Sequence, residues 1–233
     1  MTEQQKEVRP IRVPRLTSFG MWISGQARRL ATGGRDEAGI RRSGYLRNDP
    51  YSTAAVARLR HAAGHEVGAD PNVFIWTIPD PTKPDVCGAD IDRYADGPSP
   101  RECAAHAVLT LFATHQQSIH DQPMHTDEDV SLGRAVGRMA CSNFNESGIR
   151  RMFSQMQTAS SWKELVRHAR SLISLLKRER IALNYGLLAQ DLLALQSDRD
   201  HANAVRTRWG RDFQSSYRRK LTDDNAGETL KTI

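Results

Sequence analysis

Between Gly148 and Phe213 an apolar side chain returns to the same face every three or four residues. The series runs Ile149, Met152, Phe153, Met156; then Leu165, Ala169, Leu172, Ile173, Leu176; then Leu188, Leu192, Leu195; then Val205, Trp209, Phe213. This is the repeat of helices with one buried face, and it predicts at least four consecutive helices packed on one another. Upstream, Phe19, Ile23, Ala27 and Leu30 form the stripe of a helix from about Thr17 to Ala31, with Arg28 and Arg29 facing out. Glycines 33, 34, 39 and 44 then break up a basic connection. A short helix follows, capped by Ser52 and stopped at Gly64. Asp70-Pro71 reads as a cap followed by proline in the first helical position, so VFIWTI is either a short buried helix or a strand.

Ser99, Pro100 and Glu102 make a capping box with proline at the first position. The helix they open runs through Ala104, Ala107, Val108, Leu111 and Phe112 to about Gln117. A polar loop (HDQPMHTDED) leads to the helix SLGRAVGRM, and Ser161 with Glu164 forms a second capping box. No alternating strand pattern and no internal repeat stand out. The pattern predicts an all-α fold: a bundle of about eight or nine helices without significant β-sheet. Residues 1–15 read as a flexible basic arm, 16–78 as an N-terminal helical part, 99–220 as a C-terminal bundle and 221–233 as a disordered tail. Residues 79–98 read as an acidic, proline-rich loop or insertion, because five of the ten prolines and five aspartates crowd between Pro79 and Pro100.

Charge changes this picture more than composition does. The net charge of +6 is modest for 233 residues, but it is unevenly spread. Residues 6–60 hold 12 basic and 4 acidic side chains, residues 61–133 hold 3 and 12, and residues 134–220 hold 17 and 7. Two basic blocks flanking an acidic one point to a phosphate-rich partner. Arginine outnumbers lysine 27 to 6, and guanidinium grips phosphate in a fork. Arg150 and Arg151, Arg167 and Arg170, Lys177 and Arg178, then Arg206, Arg208 and Arg211 recur on successive helices. On packed neighbours they can line up as a track that follows a phosphate backbone. Aromatic residues are only 6% and fall at core-like positions, so contact is expected with phosphates and not through base stacking.

Catalytic signals are weak by comparison. His106, His115, His120 and His125 lie near Asp121, Asp127, Glu128 and Asp129, and a metal-dependent nucleotide hydrolase would use His115, His120 and Asp121. Their spacings fit no compact ligand motif, so solvated side chains at a helix end are expected. His61 and His65 are four apart, but Gly64 interrupts them. There is no HExxH, GxSxG, Walker A or GxGxxG sequence. Three cysteines without a CxxC suit a reducing cytoplasm, and Cys103 and Cys141 read as buried thiols. No apolar leader or membrane-length run is present. The expectation is a cytoplasmic protein with no catalytic residue, metal, cofactor, small-molecule substrate or membrane contact.

Several blocks are recognisable in order: SLGRAVGRM (131–139), GIRRMFSQMQTA (148–159), ELVRHARSLISLL (164–176), IALNYGLLAQDLLALQ (181–196) and VRTRWGRDF (205–213). With ARLRHAAG (57–64) and PRECAAHAVLTLFATHQQ (100–117) they resemble the CasB family, the small subunit of the type I-E CRISPR complex Cascade. The resemblance covers about 130 residues. It implies an all-helical, non-enzymatic subunit, present as a pair, that bridges the large subunit and the backbone subunits. It also implies that the chain holds DNA while guide crRNA and target form the R-loop. By position, the implied DNA-contacting residues are Arg60, Arg101, Arg151 and Arg170, with Arg206 and Arg208 behind them. His61 stands where the family often has a second arginine. A structural spacer whose arginines meet only protein acids and guide RNA is the alternative.

Overall fold

The computed structural model describes residues 14–89, 96–141 and 143–229. Among them ten α-helices carry the fold, with one two-stranded ribbon as the only sheet. The N-terminal helix α1 (Ser18–Thr32) is capped by Thr17, whose hydroxyl accepts from the Gly20 amide. Its stripe Phe19, Ile23, Ala27 and Leu30 is buried. The glycine-rich connection contains a hairpin, β1 (Gly34–Arg35) paired antiparallel with β2 (Arg41–Arg42), in place of the irregular link expected. Two-residue strands are too short to show any alternation. Helix α2 (Pro50–His61) begins two residues before Ser52, because Asp49 and not Ser52 is the cap: its carboxylate accepts from the Ser52 amide at 2.9 Å. VFIWTI resolves as a 3₁₀ turn (Pro71–Val73) running into α3 (Phe74–Thr77).

The proline-rich stretch is not loop throughout. Helix α4 (Pro84–Cys87) buries Val86 and Cys87 and packs on α1. Residues 90–95 fall outside the described residues, as do residues 1–13 of the basic arm. Helix α5 (Pro100–Gln116) has the reciprocal capping box read from Ser99 and Glu102. Every residue from Ala104 to Ala113 is buried, and α5 packs on α1, α2, α3, α8 and α9. A helix apolar on all sides is a central rod. The loop after it is tied inward: Gln116 donates to the Ile119 carbonyl at 2.8 Å and accepts from the Met124 amide at 2.8 Å.

Helices α6 (Leu132–Ala140), α7 (Glu146–Gln157), α8 (Trp162–Arg178), α9 (Tyr185–Ala194) and α10 (Arg199–Thr229) complete the chain. The four expected between Gly148 and Phe213 are therefore α7 to α10, and their stripes join one core with Phe19, Leu59 and Phe112 from upstream. At the start of α8, Ser161 accepts from the Glu164 amide, but the Glu164 carboxylate takes the Ser160 amide, so the expected reciprocal box is shifted by one residue. Helix α10 continues to Thr229, beyond Leu221 where order was expected to end; adding residues to a formed helix needs no new nucleus. Residues 230–233 lie outside the described residues. Close packing of α6 on α10 rests on Gly133 and Gly137, one turn apart. A Cβ at either would overlap the Trp209 or Phe213 carbonyl oxygen. No helix among the described residues is long and apolar enough to cross a membrane.

Candidate nucleic-acid interface

The expected site residues differ in what their side chains touch and in whether they share a basic neighbourhood. Arg60 lies in the last turn of α2 and is exposed. Beyond it the chain turns at Gly64, where φ is +92° and a side chain would be strained. Arg170, midway along α8, donates to the Ala63 carbonyl at 2.9 Å and so ties α8 to the end of α2. Seven residues on, two helical turns along the same flank, stands half-buried Lys177. Burial, and then the charge of Arg60, lowers the Lys177 ammonium from its ordinary value. Arg60, Arg170 and Lys177 thus form one basic cluster, and none of them has a carboxylate partner among the described residues.

Arg151 is exposed on α7, on the side away from buried Ile149, Phe153 and Met156. It has no hydrogen bond or ion pair among the described residues. The remaining three fasten helices to one another. Arg101 donates to the Asp85 and Val86 carbonyls at 3.2 and 2.7 Å, and its guanidinium sits 5.6 Å from the Phe19 ring centre. Arg206 donates to the Gln157 carbonyl at 2.7 Å, joining α10 to the end of α7. Arg208 pairs with Asp191, which is 3% exposed and also accepts from the Trp209 indole N–H. Burial pushes the Asp191 carboxyl up to about 6, against the opposing pull of Arg208 and Trp209.

Other arginines of the expected track are likewise engaged. Arg150 pairs with Glu146 at 2.6 Å and lies 4.8 and 4.5 Å from the ring centres of Phe213 and Tyr217. Arg134 pairs with Asp129 and Asp212. The site residue that sequence reasoning left out is Lys177, which it grouped with Arg178 and not with Arg170. The seven-residue spacing from Arg170 was the available signal.

Three of the four histidines are not the solvated side chains expected. His106, His115 and His125 are buried because α5 and the loop after it are enclosed. His115 Nδ1 lies 2.8 Å from the Tyr185 hydroxyl, and burial lowers His115 to about 3. His125 Nδ1 accepts from the Tyr185 amide, its Nε2 lies 3.3 Å from Asp127, and burial lowers it to about 4. Exposed His120 stacks on Tyr45, with ring centres 4.5 Å apart, while Asp121 pairs with Arg180. The three residues suggested for a hydrolase therefore have different partners. The rings of His61 and His65 meet edge to face at 5.7 Å. Among the described residues no group of three His, Cys, Asp or Glu side chains could hold a metal ion.

Residues 55–213 match the family model described as CRISPR-associated protein Cse2. Among solved structures, the chain is similar to CasB from Thermobifida fusca, with 32% sequence identity and a TM-score of 0.63. The likeness covers 85% of this chain and 99% of that one. No curated protein matches. With a family match spanning most of its length and a solved relative of the same architecture, the chain belongs to the CRISPR-associated Cse2 (CasB) family, a subunit of the Cascade complex.

Proposed function

We propose that this chain is the non-enzymatic small subunit of a crRNA-guided type I-E complex in the cytoplasm, and that it grips nucleic acid through phosphate contacts. The observation that carries the reading is the cluster of Arg60, Arg170 and Lys177. Like charges held together without a carboxylate disfavour one another until an anion arrives, and the Lys177 ammonium, lowered first by burial, is lowered further by the charge of Arg60. A phosphodiester backbone supplies the anion, and each single-strand phosphate neutralised releases about 0.7 counterions. Guide–target pairing nearly balances the loss of the DNA duplex, so a few such contacts tip R-loop formation. Arg151 is a separate phosphate contact on the same reading. Arg101, Arg206 and Arg208 act instead by holding α4, α7 and α9 in place. The other Cascade subunits and a second copy of this chain are its partners.

The test is R60A/K177A in the assembled complex, since neither side chain makes a hydrogen bond or ion pair that the fold would lose. Assembly should stay intact, while the slope of log binding constant against log salt for target DNA flattens by about 1.4, two single-strand contacts' worth. Unchanged DNA binding by an intact complex defeats the proposal. Loss of co-purification would instead assign these residues to contacts between subunits, as the spacer reading requires.

A further inference from the structure

A second basic surface lies outside the residues matched by the family model, on the hairpin and the turn after it. The segment from Arg28 to Arg47 holds six arginines and two acids. Both acids are already engaged: Asp36 pairs with Arg42 at 2.8 Å, and Glu37 lies 4.0 Å from Arg29 and accepts from the Tyr51 hydroxyl. Arg42 also stacks over Tyr51 at 4.5 Å, and Arg28 reaches Asp127. That leaves Arg35, Arg41 and Arg47, all exposed. Arg35 and Arg41 are direct partners in the ladder, which places two like charges side by side. Arg35 donates only to the Gly39 carbonyl, and Arg41 and Arg47 have no partner among the described residues. Nothing in the packing of the fold accounts for the charges of Arg41 and Arg47.

Arg41 and Arg47 border a groove. An open concavity of about 570 Å³ is lined by Thr32, Gly33, Gly34, Arg41, Ser43 and Arg47, with Arg42 and Asp49 completing it. Asp49 is the one acid there, and its carboxylate accepts from the Ser52 and Ser43 amides, which hold it below the usual carboxylate range against the effect of burial. Backbone donors therefore offset its charge. The two sides of the groove come together only because Gly33 and Gly44 lack side chains; a Cβ on either would overlap the opposite strand of backbone. The result is an open, glycine-floored concavity bordered by the unpaired guanidinium groups of Arg41 and Arg47. That geometry suits a chain of phosphates better than a flat protein surface.

We propose that Arg41 and Arg47, supported by Arg35, form a second site for a phosphodiester backbone, distinct from the cluster of Arg60, Arg170 and Lys177. The two sites stand at opposite ends of α2, whose 12 residues span about 18 Å. Residues exposed along α2 between them include Thr53, Ala54 and Ala57, which are small and uncharged. A strand could lie along the helix and engage both ends. The hairpin site does not depend on the α8 cluster, and either can fail alone.

The experiment measures binding of labelled single-stranded DNA, single-stranded RNA and duplex DNA to the full chain across a salt series. R41A/R47A should flatten the salt slope by about 1.4 for the single strands, and R41K/R47K should restore most of it. R218A/R219A removes the same charge from α10 and serves as the control. An unchanged slope for R41A/R47A overturns the proposal, and so does an equal loss in the α10 control, which would reduce the effect to net charge. Displacement of the nucleic acid by polyglutamate at equal charge concentration also overturns it, in favour of an acidic protein partner. Which oligonucleotide loses most distinguishes DNA from guide RNA as the source of the phosphates. Should R41A/R47A fail to fold, R41K/R47K decides through affinity at fixed salt: it should keep the slope but bind more weakly than wild type, since lysine lacks the guanidinium fork, and equal affinity overturns the proposal.

Discussion

Asp191 shows how much depends on one buried carboxylate. It holds Arg208 and the Trp209 indole at once, so D191A leaves an indole N–H buried and unpaired and should cost about 3 kcal/mol in denaturant unfolding. R208A should cost less, about 1 kcal/mol, because Arg208 is half exposed and Asp191, already pushed up to about 6, can take a proton and keep its bond to Trp209. His115 and His125 set a different dependence. Both are lowered by burial, to about 3 and about 4, so below the unfolded histidine value near 6.5 the unfolded chain binds protons that the folded chain refuses. Stability should be level above that value and fall by about 1.4 kcal/mol per pH unit for each histidine as pH drops from about 6.5 toward 4. Asp191 opposes this trend, since its raised value favours the folded state as it protonates. Denaturant midpoints measured from pH 7.5 to 4.5 for wild type and H125Q check the sign: the variant should show the shallower fall. None of these roles was legible along the chain. Histidine and arginine look the same in a list whether their partner is water, a carbonyl or a ring.

Elements were legible to the extent that their signals are local. Ser99 and Glu102 announce the start of α5 because a capping box needs only four residues and its own backbone. The α7 to α10 stripes were likewise readable as the period of a buried face. Ser52 misled because Asp49, three residues earlier, accepts from the Ser52 amide as the true cap and precedes a proline suited to the first turn. The contact between α6 and α10 is the clearest case of a signal present but unread. Glycine within a helix looks like a defect of about 1 kcal/mol until a second backbone is seen against it. G133A and G137A should each destabilise by about 2 kcal/mol, because the overlapping atom is backbone and cannot swing aside. G210A, on the same α10 but with open space around it, should stabilise by up to about 1 kcal/mol. Thermal midpoints of the three variants moving the same way would contradict this account.

For the molecule as a whole, the class of fold and the basic character of the surface followed from pattern and charge, while the sorting of arginines did not. Six positions carried the expectation; the fold brings Arg60 and Arg170 together, adds Lys177, and spends Arg101, Arg206 and Arg208 on holding helices in place. Which guanidinium stays available depends on distances across the chain that no local pattern encodes. The enclosure of α5 has a consequence in time as well as space. A rod surrounded by five other helices can release its amide protons to solvent only when most of the molecule opens. In deuterated buffer the amides from Ala104 to Ala113 should be the last to exchange, at the rate of global opening, whereas those around Gly39 at the hairpin tip should exchange within the dead time.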